Sequence, residues 1–145
     1  MMKKFLLGLC ALVFVVSVCG CEKVGYKEGT YEGSVIDNYN NEENTATAKV
    51  VVNGAGKITS VSLDTTYQGS TKKTLGYDYN MKKYNPSAAG EWFEQIEKLE
   101  AAIVENQGTE FLNLTEDGKT DAVSGCTIKI DALVKAVNDA LEKAK

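Results

Sequence analysis

The sequence predicts an α+β domain, in which two main helices pack on one face of a mostly antiparallel sheet. Two runs rich in β-branched residues flank a glycine-containing turn, a pattern typical of a β-hairpin. Apolar residues recur at helical spacing in two later segments, one in the middle of the chain and one at its end. The resulting order of strands, helix, strand and helix indicates the α+β class.

The strands of the predicted sheet lie in the first half of the chain. A first strand is predicted over residues 29–35, and the hairpin strands over 45–52 and 58–63. Between the first two strands, the asparagine-rich stretch DNYNNEEN at 37–44 is predicted to be a loop or a loosely held turn.

The stretch 64–84 is polar and rich in tyrosine, and it gives no clear strand or helix signal. Such a stretch inside a compact domain is usually functional or wrongly interpreted. Pro86 and Ser87 follow, and Ser87 is predicted to be the N-cap of a helix that ends before Gly108. The apolar stripe of this helix comprises Trp92, Ile96, Leu99 and Ile103.

The last part of the chain is predicted to hold a short strand at 110–114, a turn at 116–119 and a final helix. Thr127 is predicted to lie at the entry to that helix. One side of the helix carries the apolar residues Ile130, Leu133, Val134, Val137 and Leu141.

The N-terminal segment has the form of an export signal. A basic start at 1–4 precedes an apolar stretch at 5–18, which is shorter than the roughly 18–20 residues of a membrane span. The sequence Val-Cys-Gly-Cys at 18–21 resembles the lipobox of bacterial lipoproteins, with Cys21 as the lipidated residue. Cys19 is a poorer candidate because bulky Val18 precedes it.

We therefore predict a signal peptide at 1–20, acyl chains such as palmitate on Cys21, a short polar tether at 21–28 and one domain at 29–145. The alternatives are an uncleaved signal anchor and an ordinary secretory signal. Only Cys126 then remains as a thiol, so no internal disulfide is possible in the mature domain.

Composition excludes several kinds of function. The chain has a formal net charge of −4 and contains neither arginine nor histidine. An acidic chain without arginine argues against nucleic acid as a partner, because phosphate contacts need a positive footprint. The lack of histidine removes the usual haem and catalytic zinc ligands and the commonest general base, so we predict no metal site and no catalytic residue.

The stretch DAVSGCTI at 121–128 carries the chemistry that the sequence suggests. The first N–H groups of a helix have no internal partner, and the helix dipole makes this end favourable for an anion such as phosphate. Gly125 permits a tight turn and close approach of the backbone to a ligand. A hydroxyl placed here is either a helix cap or a group that phosphate can esterify.

The stretch resembles the flavinylation motif of FMN-binding domains, which Asp121, Ser124, Gly125 and Thr127 match. The sequences GTYEG and GKITSVSL are similar to that family's opening strands. The resemblance implies FMN joined to Thr127 by a phosphoester, in a reaction in which a flavin transferase uses FAD and magnesium and releases AMP. Cys126 departs from the motif, where alanine is usual, so the resemblance does not say whether this thiol affects the flavin.

The middle of the chain is similar to exported electron-transfer flavoproteins of Gram-positive bacteria. The sequence LGYDYNMKKY carries this likeness, which implies that Leu75, Gly76, Tyr79 and Met81 belong to the flavin pocket. The alternative is a tyrosine-rich surface loop that packs on the sheet. Trp92 is predicted to be a core residue rather than a flavin stacker, because it lies on an apolar stripe.

Two roles are open for Asp121. Its carboxylate could bind the magnesium of the transferase or orient the acceptor hydroxyl. It could also accept hydrogen bonds from loop N–H groups and fix the turn, which we favour because the transferase should bring its own metal site.

The resemblance and the lipobox together predict a lipid-anchored flavoprotein on the outer face of the cell membrane. It would carry electrons from a membrane donor, such as a quinol oxidoreductase, to an extracellular acceptor, and would be an electron carrier rather than a stand-alone enzyme. The alternatives are a flavin-dependent extracellular reductase of a small substrate and a flavin-free binding lipoprotein.

Overall fold

The computed structural model describes residues 25–39 and 41–145. The predicted signal peptide, Cys21 and the first half of the predicted tether lie outside the described residues. The described chain begins with an antiparallel meander in which each strand pairs with the next. Its strands are β1 (Gly29–Tyr39), β2 (Glu42–Val52), β3 (Ile58–Tyr67) and β4 (Ser70–Thr71).

Two long helices pack on this sheet, α3 against β3 and α4 against β1 and β2. The helices are α1 (Lys72–Leu75), α2 (Met81–Tyr84), α3 (Trp92–Asn106) and α4 (Asp131–Lys143), with 3₁₀ turns at Gly76–Tyr79 and Glu110–Leu112. The predicted α+β class is confirmed. None of the helices in the described ranges is long and apolar enough to cross a membrane.

The core lies between the sheet and the two long helices. Along β2, Ala46, Ala48, Val50 and Val52 are buried, as expected for alternation on a sheet with one covered face. The predicted hairpin is confirmed, with Val50 opposite Val61 in the ladder between β2 and β3. The predicted helical stripes are also buried, including Ile96, Leu99 and Ile103 of α3 and Val137 of α4.

Helix α4 crosses β1 at Gly33, where the two backbones approach closely. A Cβ atom at this position would lie 2.0 Å from the Ala136 carbonyl oxygen and 2.6 Å from the Ala140 nitrogen. Ala136 and Ala140 are fully buried in this contact region. Small residues on both elements thus fix the distance of α4 from the sheet.

The prediction of a loop or a loosely held turn over 37–44 is wrong for most of this stretch. Strand β1 continues to Tyr39 and β2 starts at Glu42, with Asp37 paired to Asn44 and Tyr39 to Glu42. The turn is tight and includes Asn41 in a left-handed conformation at φ +63°. Backbone hydrogen bonds extend the hairpin beyond the buried part of the sheet. The polar residues at 37–39 and 42–44 therefore belong to strands, although their composition suggested a loop.

The short strand predicted at 110–114 is also wrong. Residues Glu110–Leu112 form a 3₁₀ turn in which the Leu112 N–H donates to the Thr109 carbonyl oxygen at 3.1 Å. Leu112 is buried, and Asn113, with a positive φ of +43°, ends the 3₁₀ turn. The alternation of apolar residues was too short to identify a strand.

Helix α3 starts later than predicted. Glu91, rather than Ser87, flanks its first residue, and the Glu94 carboxylate accepts a hydrogen bond from the Glu91 N–H at 2.8 Å. This is how the third residue of a helix reaches back in a capping box. The Ser87 hydroxyl donates instead to the Asn85 side chain at 2.7 Å, within the preceding turn.

Candidate functional site

Thr127 lies in a loop and not at the start of α4, so this prediction is wrong. The helix begins at Asp131, and Ile130 occupies the N-cap position without a side-chain cap. The Ile130 N–H donates to the Gly118 carbonyl oxygen at 2.8 Å, which holds the preceding chain in a turn. The N–H groups at the helix start therefore do not account for the placement of Thr127.

Gln95 holds Thr127 in place. Its Oε1 accepts hydrogen bonds from the Thr127 N–H at 2.9 Å and from the Thr127 hydroxyl at 3.2 Å. Gln95 is fully buried, and its Nε2 donates to the Gly90 carbonyl oxygen at 2.9 Å. Thr127 itself is exposed, so a buried amide from α3 presents an accessible hydroxyl.

Sequence reasoning missed Gln95. The signal that could have found it is a glutamine beside Trp92 and Ile96 on the buried side of α3. A fully buried amide needs hydrogen-bond partners, and here one partner is the backbone and hydroxyl of the loop.

The residues just before Thr127 have distinct environments. Ser124 is exposed, and Gly125 has a left-handed φ of +78°. A Cβ atom at Gly125 would lie 2.5 Å from the Lys98 Nζ, so the lysine side chain of α3 passes over this glycine. Gly125 thus allows both the turn and the contact with α3.

Cys126 faces the core. It is 1% exposed and packs in the cluster between sheet and helices. Burial raises the pKa of the Cys126 thiol, while a hydrogen bond with the Ile128 backbone and the nearby Lys98 charge act in the opposite direction. A buried thiol with a raised pKa is a poor nucleophile, so Cys126 acts as a small apolar residue here.

The hydrogen bonds that fix the loop are made by Thr120 rather than by Asp121. The buried Thr120 hydroxyl donates to the Leu112 carbonyl oxygen and accepts from the Ala122 N–H at 3.0 Å. Asp121 is exposed, and its carboxylate makes no hydrogen bond or ion pair with any residue that the structure describes.

Thr127 lines a cleft of about 260 Å³ that also contains residues from β1, β3, α1, α3 and α4. This volume is just below the roughly 300–1,000 Å³ found for small-molecule sites. Of the pocket residues that the sequence suggested, Tyr79 and Met81 line this cleft. Leu75 and Gly76 do not, and neither do Asp121, Ser124, Gly125 and Cys126.

Three aromatic rings surround the ammonium group of Lys72 in this cleft. The Lys72 Nζ lies 5.8 Å from the ring centroid of Tyr39, 5.2 Å from that of Tyr79 and 5.5 Å from that of Trp92. These distances are within the range of cation–π contacts. Burial lowers the pKa of Lys72, and the charges of Asp37 and Asp64 oppose this effect.

Trp92 has two environments. It is 3% exposed and belongs to the core cluster, as predicted, and it also forms part of the cleft wall. Tyr79 stands next to it in the cleft and meets Tyr67 edge to face, with ring centroids 5.0 Å apart. Burial, with smaller contributions from Tyr39 and Tyr67, raises the pKa of Tyr79 to about 12.

Two further lysines line the cleft near Thr127. Lys129 pairs with Asp131 at 3.4 Å between Nζ and Oδ1, and Lys119 pairs with Asp117 at 3.3 Å between Nζ and Oδ2. Both lysines are exposed. Because exposed ion pairs are weak, these two ammonium groups can turn toward an anion in the cleft at little cost.

Glu91 attaches the segment before α3 to the start of that helix. Its buried carboxylate accepts hydrogen bonds from the Met81 N–H at 2.7 Å and the Lys82 N–H at 3.4 Å. The first turn of α3 thus holds both sides of the site, α2 through Glu91 and the Thr127 loop through Gln95.

In the described ranges, no group of histidine, cysteine, aspartate and glutamate side chains is arranged to hold a metal ion. The comparisons with curated proteins and with solved structures found no significant match. The family model described as the FMN-binding domain matches residues 42–142, which include β2, the short helices α1 and α2, α3 and Thr127. The chain therefore belongs to the FMN-binding domain family, with FMN as the cofactor that this membership supports.

Proposed function

We propose that this protein is a lipid-anchored extracytoplasmic electron carrier whose FMN is joined to Thr127 by a phosphoester. The observation that carries the proposal is the placement of the Thr127 hydroxyl. It is exposed, it is held by the buried Gln95 amide, and it opens on a cleft with aromatic walls.

The residues of the cleft fit both ends of FMN. Tyr39 and Tyr79, which are partly exposed, offer aromatic surfaces for the planar ring system. Lys119 and Lys129, which line the cleft with Thr127, offer ammonium groups for the phosphate. When bound, FMN supplies the redox chemistry, and the protein contributes position, electrostatics and shielding.

Attachment needs a free hydroxyl and access for a second protein. In the reaction with FAD, the bond between Thr127 Oγ1 and the phosphorus of the FMN portion forms, and the phosphoanhydride bond to AMP breaks. The hydroxyl proton is lost and AMP leaves. The Thr127 N–H keeps its hydrogen bond to Gln95 Oε1 in the product, so the loop stays anchored after the hydroxyl proton is gone.

Asp121 is suited to face the flavin transferase. Its carboxylate is exposed and makes no contact with a described residue that would hold it in the loop. The turn is fixed by Thr120, which leaves Asp121 free to bind the magnesium of the transferase or to orient the acceptor hydroxyl. This assignment differs from the turn-fixing role that the sequence favoured.

Covalent attachment suits a protein outside the cell, where a dissociated flavin would be lost by dilution. Lipidation at Cys21 would place the domain close to the outer face of the membrane. The donor in this proposal is a membrane quinol oxidoreductase or a similar electron source, and the acceptor lies outside the cell.

Co-expression with a flavin transferase tests the attachment. We expect flavin fluorescence on the denatured, gel-resolved protein and a mass increase equal to FMN less water. Thr127→Ala is expected to abolish both signals, because it removes the acceptor oxygen but keeps the backbone hydrogen bond to Gln95.

Two variants serve as matched controls for this experiment. Thr127→Ser keeps a hydroxyl and should be labelled, and Ser124→Ala removes the other exposed hydroxyl of the motif and should retain labelling. Labelling of Thr127→Ala, or its loss in Ser124→Ala alone, would contradict Thr127 as the attachment site.

The anchor is tested with two cysteine variants. Cys21→Ser should prevent incorporation of radiolabelled palmitate, whereas Cys19→Ser should leave incorporation unchanged. The reverse pattern would move the lipidation site to Cys19.

Steady-state kinetics separates the carrier from a reductase. A carrier should exchange electrons with several small acceptors at rates that rise in proportion to acceptor concentration. Saturation with one acceptor and discrimination against its analogues would instead favour a substrate-specific reductase.

A further inference from the structure

We infer that Lys72 raises the reduction potential of the FMN in this cleft, by placing a positive charge beside a ring that gains electrons. The inference rests on the proposed use of the cleft as the flavin site. It concerns a residue of α1 that no motif in the sequence identifies.

The environment of Lys72 differs from that of the other lysines in the cleft. Lys119 and Lys129 each pair with a carboxylate within 4 Å. Lys72 makes no ion pair and no hydrogen bond through its ammonium group with any residue that the structure describes, and three aromatic rings lie around it. The charges of Asp37, which also lines the cleft, and of Asp64 act on it from beyond ion-pair distance. A cation in such surroundings is poorly solvated and still has donor capacity for an electronegative ligand.

The adjacent lysine makes the contrast clearer. Lys73 forms an ion pair with Glu100 and donates to Ser62, so its charge is neutralised on the surface of β3 and α3. Two consecutive lysines thus have different partners: Lys73 pairs with a carboxylate, and Lys72 lies among the aromatic rings of the cleft.

Charge balance gives the direction of the effect. Reduction of the ring by two electrons increases its negative charge wherever fewer protons than electrons are taken up. A partly desolvated cation is screened less than an exposed one, so it stabilises the charged form more than the neutral one. Lys72 should therefore favour the reduced cofactor.

The test is a spectroscopic redox titration with dithionite as reductant and dyes of known potential. Lys72→Met keeps most of the length and the apolar character of the side-chain stem but removes the charge. We expect at least a tenfold loss in the equilibrium preference for reduced FMN, equivalent to a midpoint potential lower by about 30 mV for a two-electron couple.

Two variants separate the charge from other effects. Lys72→Arg retains a cation and should restore most of the potential. Lys82→Met removes the same charge from the exposed side of α2, outside the cleft lining, and should leave the potential within the error of the titration. If Lys72→Met is poorly folded, Lys72→Gln provides the same charge removal with a polar side chain.

The outcomes distinguish this inference from the proposed function. An unlabelled wild-type protein would contradict covalent attachment, and the same titration would then be made on the noncovalent complex with FMN. An unchanged potential in Lys72→Met, or an equal change in Lys82→Met, would overturn the role of Lys72 while leaving attachment at Thr127 intact. A protein that does not bind FMN in either form would overturn both.

Discussion

Two segments form most of the site, and they differ in what holds them in place. They are the motif loop (residues 121–130) and the aromatic segment (residues 64–85). The motif loop has no regular structure, and buried hydrogen bonds through Thr120 and Gln95 hold it. The aromatic segment contains the end of β3, β4 and short helices, and its rings make edge-to-face contacts, as Tyr67 does with Tyr79 at 5.0 Å. One segment fixes a single hydroxyl, while the other offers a surface.

Both segments contain buried and exposed residues. In the motif loop Cys126 is 1% exposed while Thr127 is exposed, and in the aromatic segment Tyr79 is half-buried while Tyr77 and Tyr84 are 70% and 79% exposed. A reactive group needs one position, which buried polar contacts provide, because leaving them unsatisfied is costly. A ring-binding surface needs shape and polarizability, which partly exposed aromatic residues provide.

Both segments depend on the first turn of α3. Glu91 accepts hydrogen bonds from α2, and Gln95 accepts them from the motif loop. Variants of these two residues should therefore damage the two segments separately.

The largest effect is expected for Glu91→Ala. It removes a buried carboxylate that accepts two N–H groups at the start of α2, and hydrogen bonds to charged groups contribute about 1.5–3 kcal/mol. Chemical denaturation should show a loss of this size in the free energy of unfolding, together with weaker FMN binding. Labelling of Thr127 by the transferase should continue in the fraction that is folded, because Gln95 is intact.

Glu94→Ala is the control for this variant. It removes the carboxylate that reaches back to the Glu91 N–H but leaves the contacts to α2. We expect a smaller loss of stability, typical of a helix cap at about 1 kcal/mol, and normal FMN affinity. Equal effects of the two variants on FMN affinity would show that Glu91 does not organise the aromatic segment.

Gln95→Leu should affect the other segment. The Gly90 carbonyl oxygen and the Thr127 N–H lose their partner, at a cost of about 1–2 kcal/mol. The Thr127 hydroxyl also loses its fixed orientation, so the rate of labelling by the transferase should fall at least tenfold.

Gln107→Leu at the other end of α3 is a matched comparison. The Gln107 side chain also ties two elements together, since it accepts from the Ile58 N–H at 2.8 Å and donates to the Ile58 carbonyl oxygen at 2.9 Å. We expect a similar loss of stability and an unchanged labelling rate. Slower labelling in both variants would attribute the effect of Gln95 to general destabilisation.

Gly125→Ala has a smaller expected effect on stability, about 1 kcal/mol, because alanine is strained at φ +78°. The added methyl group would also displace the end of the Lys98 side chain. Gly69→Ala has nearly the same backbone penalty, at φ +77°, with no atom within 4 Å of the new methyl group. Labelling should slow only in Gly125→Ala, and equal rates in the two variants would contradict a specific role for this turn.

Much of the fold could be predicted because its signals are periodic. The hairpin of β2 and β3 and the stripes of α3 and α4 follow from repeated apolar spacing that the sheet and helices then bury. The starts of α3 and α4 could not be predicted as well. The start of α3 depends on which of several polar residues makes the cap, and Glu91 is positioned by its contacts with α2 as much as by the helix. Helix α4 begins without a side-chain cap, after a turn that the Ile130 N–H holds through the Gly118 carbonyl oxygen.

Only the part of the site that is formed by neighbouring residues in the sequence could be predicted. Thr127 stands in a recognisable motif, but the cleft beside it joins Tyr39 of β1, Lys72 of α1 and Trp92 of α3. Residues this far apart carry no common spacing. Gln95 was missed for the same reason, since its partner Thr127 is 32 positions away in the chain.

The smallest effect concerns Tyr79, whose pKa burial raises to about 12 from the ordinary 10.0. Because the folded-state pKa lies above the unfolded value, its contribution to stability is present below about pH 10 and is lost as the pH rises through about 12. Absorbance titration of the phenolates should show a late-ionising tyrosine that Tyr79→Phe removes, with stability at pH 7 changed by about 0.5 kcal/mol or less.

Tyr84→Phe is the control, because Tyr84 is 79% exposed and lies outside the cleft lining. Loss of the late step in Tyr84→Phe, or its persistence in Tyr79→Phe, would place the buried phenol elsewhere. If Tyr79 is assigned as expected, FMN bound in the cleft should delay its ionisation further, because the ring system would cover more of the phenol. That additional shift would show that FMN contacts the aromatic segment, and the measurement does not depend on labelling of Thr127.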